Sequence, residues 1–158
     1  MGNIFAGSEV VELGIQIEKN GKDFYQALAA QSKVPKARDT FVFLAKEEEK
    51  HISVFQSILG RTQGYEPPQS YPGEYLAYMN ALASDQVFTQ KDKGRGVALA
   101  IKTDKEAVNM AMGFEKDSII FYQGMKDMVP GHEQKIIDEL IAQEQAHVIR
   151  LSALRADL

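Results

Sequence analysis

The sequence predicts an all-α protein, a four-helix bundle of two pseudo-symmetric helical hairpins joined by a long crossover. Three observations carry that reading. Four long stretches place apolar residues at helical spacing, no stretch outside the crossover sustains strand alternation, and the first half of the chain recurs in the second.

Each element follows from its residues. Ser8 is placed to cap a first helix that carries Val11, Leu13, Ile15, Ile17, Phe24, Tyr25 and Leu28. That helix fades at Gln31-Ser32-Lys33-Val34. Pro35 suits the start of the next helix, because its missing N–H is harmless in a first turn. The second helix runs from about Lys36 to Leu59 on Phe41, Leu44, Ile52 and Phe55, with Gly60 expected at the left-handed closing position. The crossover, residues 61–102, holds Gly64, Pro67, Pro68, Pro72, Gly73, Gly94 and Gly96, and a short helix is expected from Glu74 to about Ala83. Thr103 and Glu106 form a capping box that opens the third helix, which stops near Val129-Pro130-Gly131. The fourth runs from about His132 almost to the end. The hairpins thus cover about 8–60 and 103–157 of a single domain, 1–158. So long a connection has a reason if it passes from one end of a bundle to the other.

Composition narrows the function. A chain of 158 residues with 44% hydrophobic and 25% charged residues buries a core and is not disordered. A net charge of −4 without a basic stripe argues against nucleic acid as a partner. No 18-residue uncharged apolar run exists to span a membrane, and Met1-Gly2-Asn3-Ile4-Phe5-Ala6 has no secretory character, so a cytoplasmic location is expected. The absence of cysteine excludes thiol chemistry and cysteine-held clusters.

The repeat directs attention to particular side chains. Glu18-Lys19-Asn20-Gly21-Lys22-Asp23-Phe24-Tyr25-Gln26 recurs as Glu115-Lys116-Asp117-Ser118-Ile119-Ile120-Phe121-Tyr122-Gln123, an offset of 97. Glu48-Glu49-Lys50-His51 recurs as Glu144-Gln145-Ala146-His147, an offset of 96. Glu18 shares its stripe with Val11, Ile15, Tyr25 and Leu28, and Glu115 with Val108, Met112, Ile119 and Tyr122. Glu48 and Glu144 lie on equally apolar stripes. Four carboxylates therefore point into a hydrocarbon seam, where each must be protonated, paired or metal-bound.

Ion pairing does not account for the set. Lys22 is the only Lys or Arg one turn from any of the four, and Ile119 replaces it beside Glu115. His51 and His147 each follow a glutamate by three residues, so Glu-x-x-His aims a carboxylate and an imidazole at one point. Two such pairs plus one glutamate from each remaining helix, Glu18, Glu48, His51, Glu115, Glu144 and His147, match the ligand set of dinuclear iron or manganese carboxylate bundles. Their charge of −4 is cancelled by two divalent cations. Gly14 and Gly21 flank Glu18 and suggest room for the metals and a small exogenous ligand.

Other candidates read more plainly. Tyr25 and Tyr122 lie two turns from their glutamates, either as phenols near the site or as core with a bonded hydroxyl. Glu47, Glu49, Glu9, Glu12, Glu106, Glu133, Glu139 and His132 read as surface residues. The crossover tyrosines Tyr65, Tyr71, Tyr75 and Tyr78 are expected to pack on the bundle or on a second subunit.

The chain resembles the ferritin-like diiron carboxylate superfamily, and most closely its rubrerythrin-type branch. The resemblance rests on Glu18-Lys19-Asn20-Gly21-x-x-Phe24-Tyr25, on Leu44-Ala45-Lys46-Glu47-Glu48-x-x-His51, and on their repeats at Glu115 and Glu144. It implies two iron ions, with manganese or zinc as alternatives. In that family picture Glu48 and Glu144 bridge, Glu18 and Glu115 bind terminally, and each histidine binds one iron. Rubrerythrin proper carries a four-cysteine rubredoxin-like domain and a further glutamate on its third helix. This sequence has no cysteine, and Met112 and Ser118 occupy the two candidate positions for that glutamate. The implied activity is reduction of peroxide or dioxygen; with no cysteine the electrons are expected from an external redox protein, and the aromatic surface of the crossover, Tyr65 to Tyr78, leads to an expected homodimer. The alternatives are an iron-binding or ferroxidase protein without substrate turnover, and a manganese-filled or structural bundle.

Overall fold

A computed structural model describes residues 7–65 and 73–158. The four long helices are α1 (Gly7–Gln31), α2 (Pro35–Thr62), α5 (Asp104–Met125) and α6 (Gln134–Ala156), with α3 (Gly73–Asp85) and α4 (Gly94–Leu99) in the crossover. Among the described residues there is no strand, and no helix is long and apolar enough to cross a membrane. Tyr71 and the segment Met1-Gly2-Asn3-Ile4-Phe5-Ala6 lie outside the described residues.

Every neighbouring pair of long helices is antiparallel. α1 packs along α2 and α5 along α6, and the hairpins meet where α1 lies on α5 and α2 on α6. The ends show the directions. Ser32 Oγ donates to Asp104 Oδ1 at 2.8 Å, joining the close of α1 to the opening of α5. Lys36 pairs with Asp157, and Arg61 grips Glu133 through Nε at 2.7 Å and Nη2 at 3.0 Å, tying opposite ends of α2 to α6. Glu133, expected at the surface, is buried, because the Arg61 guanidinium supplies the charge that burial demands. His132 is exposed, as expected.

Local signals hold with adjustments. Pro35 opens α2, and the Thr103 hydroxyl accepts from the Glu106 N–H at 3.1 Å. α2 runs through Gly60 to Thr62, and the left-handed residue is Gly64 at φ 81°. Ser8 lies within α1 rather than capping it. The last turns before and after Val129-Pro130 tighten into 3-10 turns, 126–128 and 131–133.

From Gly73 on, the crossover is more ordered than its glycines suggest. This part descends the α1–α5 side of the bundle. Tyr75 donates its hydroxyl to the Gly124 carbonyl at one end, and Gln31 Nε2 donates to the Ala98 carbonyl at 2.8 Å at the other. Midway, the buried Asn20 of α1 satisfies four crossover backbone groups. Its Nδ2 donates to the carbonyls of Phe88 (2.7 Å) and Gln90 (2.5 Å), and its Oδ1 accepts from Lys93 N (2.9 Å) and Gly94 N (3.1 Å). Gly94 is required there, since a Cβ would stand 2.0 Å from the Asn20 carbonyl oxygen. Tyr75 thus packs on the bundle, while Tyr78 remains 47% exposed.

Asn20→Ala removes every one of those partners while leaving a good helix former. The expected loss is about 2–4 kcal/mol, lowering Tm by roughly 5–15 °C, read by thermal unfolding against the parent. A Tm within a degree of the parent contradicts the anchoring role.

Candidate metal centre

Each long helix delivers one glutamate to the interior of the bundle: Glu18 from α1, Glu48 from α2, Glu115 from α5 and Glu144 from α6. His51 and His147 stand one turn beyond Glu48 and Glu144. All six are 1–4% exposed. Lys22 reaches outward to Glu49 at 3.8 Å.

The six residues form two overlapping sets. Glu18, Glu48, His51 and Glu144 bring ligand atoms within 4.8 Å of one another, as do Glu48, Glu115, Glu144 and His147. Glu48 and Glu144 belong to both. His51 Nδ1 lies 2.7 Å from Glu144 Oε1, 3.5 Å from Glu18 Oε2 and 3.9 Å from Glu48 Oε2. His147 Nδ1 lies 3.6 Å from Glu115 Oε1, 3.7 Å from Glu144 Oε2 and 3.9 Å from Glu48 Oε1. The two rings are nearly parallel, with centroids 5.6 Å apart.

The surrounding groups fix these orientations. His51 Nε2 is 2.6 Å from Gln143 Oε1, an oxygen that only accepts, so Nε2 carries a proton, and Nδ1 faces the carboxylates. Tyr25 donates its hydroxyl to Glu115 Oε1 at 2.6 Å, and Tyr122 donates to Glu18 Oε1 at 2.5 Å. Each phenol therefore holds the glutamate of the other hairpin. Of the two readings open for these tyrosines, the geometry combines both: buried rings whose hydroxyls touch the cluster.

Gln143 carried no signal in the sequence beyond its place in the repeat, where the offset of 96 makes it the counterpart of Glu47. Glu47 itself is half-buried and bonded to Lys50 at 2.8 Å. The two glycines beside Glu18 part company. A Cβ on Gly21 would lie 3.4 Å from Glu48 Cδ, in ordinary contact with the cluster, so the space there does not require a glycine. A Cβ on Gly14 would meet Met125 Cε at 2.8 Å and Phe55 at 3.5 Å, so its space is filled by hydrocarbon instead.

The donor set fits a metal pair. Glu18 Oε2, His51 Nδ1, Glu115 Oε2, Glu144 Oε1 and His147 Nδ1 are buried without a hydrogen-bond partner of acceptable geometry. Five orphaned polar atoms at one centre are costly in a packed core, and cations between the two ligand sets would satisfy them together. Oxygen and imidazole donors suit iron, manganese or zinc, not a thiophilic ion.

Without cations the cluster holds protons. Burial opposes charge on His51, but Glu144 and Glu18 outweigh it and raise its pKa to about 11. Burial likewise opposes charge on His147, and Glu115 and Glu144 raise it to about 10. Glu144 is pushed up to about 8 by burial and by repulsion from Glu115 and Glu18. Burial and the neighbouring carboxylates hold the Tyr25 and Tyr122 hydroxyls neutral, well above the ordinary phenol value.

The comparisons with known proteins bear on the family and the fold. The sequence model of the family described as Rubrerythrin matches residues 9–155. A Thermotoga maritima crystal structure described as a ferritin-like diiron-carboxylate protein is similar in fold, with a TM-score of 0.69 and 24% sequence identity over 99% of this chain and 97% of that one. No curated protein sequence matches the chain significantly.

The raised pKa values set a pH dependence for chelator-treated protein. The histidines bind protons more tightly folded than unfolded, so their stabilisation is complete below about pH 6.5 and is lost as pH rises through about 10 and 11. Glu144 acts in the same direction, between its ordinary 4.5 and about 8. Metal-free protein should therefore melt roughly 5–15 °C lower at about pH 9 than at about pH 6, and added metal should abolish most of the difference. Identical melting at both pH values, with and without chelator, contradicts the proton-filled cluster.

Proposed function

The chain belongs to the rubrerythrin family, and on that premise we propose that it is a dinuclear-iron oxidoreductase that reduces peroxide or dioxygen with electrons from a separate redox protein. The observation that carries the proposal is the pair of overlapping ligand sets sharing Glu48 and Glu144. Glu18, Glu48 and His51 with Glu144 would hold one ion, and Glu115, His147 and the same two shared glutamates the other. Two irons, when bound, supply Lewis acidity and the two electrons that peroxide reduction consumes.

The protein's own groups have defined tasks in this reading. Tyr122 occupies Glu18 Oε1 and leaves Oε2 facing His51, while Tyr25 holds Glu115 through Oε1 and leaves Oε2 without a hydrogen-bond partner. Gln143 fixes the His51 tautomer with Nδ1 inward. Converting hydrogen peroxide to two waters takes up two protons and two electrons. The neutral phenols keep protons at Oη within 2.6 Å of the ligand carboxylates, where they steady charge as it changes. With no cysteine in the sequence, the electrons come from outside the chain. We also propose a homodimer, with Tyr78 among the exposed apolar residues available to it.

Metal analysis of protein purified without added iron should return about two irons per chain, and Glu144→Ala or His51→Ala should drop this below one. After anaerobic reduction, hydrogen peroxide should restore the near-ultraviolet absorbance of oxidised iron faster than dioxygen does. Dioxygen-driven oxidation of excess ferrous ion, with no peroxide-dependent turnover, would instead establish iron handling. Tyr25→Phe should keep the fold and lose about 10–100-fold in iron affinity or oxidation rate. Light scattering at micromolar concentration tests the dimer, and a monomer mass rejects it.

A further inference from the structure

The crossover places an aromatic group over the carboxylate cluster. Phe88, in the 3-10 turn Val87–Thr89, stacks face to face on Phe114 of α5, with centroids 3.9 Å apart and planes 16° from parallel. Both rings meet Phe24 of α1 edge-on, at 5.5 Å and 5.3 Å. Phe24 and Phe88 are 1% and 2% exposed, whereas Phe114 is half-buried and forms the outer edge.

Beneath the three rings lies a small cavity bounded by Gly21, Ser118, Glu48 and Glu115. It offers about 10 Å³ to the centre of a water-sized sphere, close to the least that holds one water. Gly21 and Ser118 are counterparts in the repeat, so the cavity sits where α1 and α5 face each other. The Ser118 hydroxyl turns away to the Phe114 carbonyl at 2.9 Å. The larger surface grooves beside Arg95 and Leu99, and beside Lys19, Lys22 and Lys91, touch none of the six cluster residues.

We propose that this cavity is the access site for the exogenous ligand and that Phe88, stacked on Phe114 and Phe24, is the size filter that closes it. The inference rests on the metal reading above. As it stands the cavity is no larger than one water, so dioxygen, hydrogen peroxide or azide enters only as the Phe88 ring shifts, and an organic hydroperoxide, which needs a far larger shift, is rejected. Asn20 fastens the filter: it adjoins Gly21 in the cavity wall and binds the carbonyls of Phe88 and Gln90. The connection between hairpins thereby becomes the selective wall of the site.

Phe88→Ala and the milder Phe88→Leu test this in the full-length protein. In metal-free crystals under xenon pressure, Phe88→Ala should gain a xenon atom beside Phe24 and Phe114 that the parent lacks. In iron-loaded protein mixed with azide, the charge-transfer absorbance should rise about tenfold faster in Phe88→Ala and by an intermediate factor in Phe88→Leu. Cumene hydroperoxide should oxidise the reduced variant but not the parent. Parent-like azide rates in both variants, with two irons bound, overturn the filter. A parent that binds no iron defeats the metal reading instead, and the xenon experiment then decides the cavity on its own. Should Phe88→Ala fail to fold, Phe88→Leu carries the azide comparison.

Discussion

Four carboxylates and two imidazoles share a space from which water is excluded, and the rest of the molecule is arranged around that electrostatic demand. A single unpaired carboxylate at 1–4% exposure costs several kcal/mol, and adjacent like charges multiply the penalty. Three kinds of compensation meet it. The imidazoles of His51 and His147 face the carboxylates, the Tyr25 and Tyr122 phenols donate to them, and protons occupy the cluster when cations do not. Placing the phenols across the hairpin boundary has a structural consequence. Each hairpin leaves a glutamate that the other must satisfy, so the site and the docking of the hairpins form together.

Packing on either side of Glu18 shows how closely this region is filled. Gly21 lies against the Glu48 carboxylate, and Gly14, two turns earlier, yields space to Met125 and Phe55. Glycine weakens a helix interior by about 1 kcal/mol relative to alanine, and at Gly14 close approach of Met125 returns that loss. Charge at the far end of the bundle is treated in the same manner. Glu133 is buried with Arg61 binding it through two nitrogens and His132 3.3 Å away, and the Arg61 pair fastens α2 to the start of α6.

The crossover joins topology to chemistry. Antiparallel hairpins of this kind force the chain to travel the length of the bundle before α5 begins, and that path covers the α1–α5 side. Asn20 holds the path midway with four hydrogen bonds, and the same turn brings Phe88 over the cavity beside Glu48 and Glu115. Gly94 permits the close approach of the two backbones.

What the sequence by itself determined was whatever repeats along one helix. Periodicity placed Glu18, Glu48, Glu115 and Glu144 on apolar stripes, the three-residue spacing set His51 and His147 beside two of them, and the repeat joined the halves. Pro35 and the Thr103–Glu106 pair marked helix starts because those signals are local. Tertiary structure decided whatever depends on residues far apart in the chain. Gln143 against His51, Tyr122 against Glu18, Arg61 against Glu133 and Phe88 against Phe114 each join separate elements, and only the packed bundle shows which side chains meet. Glu133 looked like a surface residue and Gly14 like part of the site for the same reason. Burial and free space belong to the arrangement of helices in three dimensions, and a single helix pattern does not contain them.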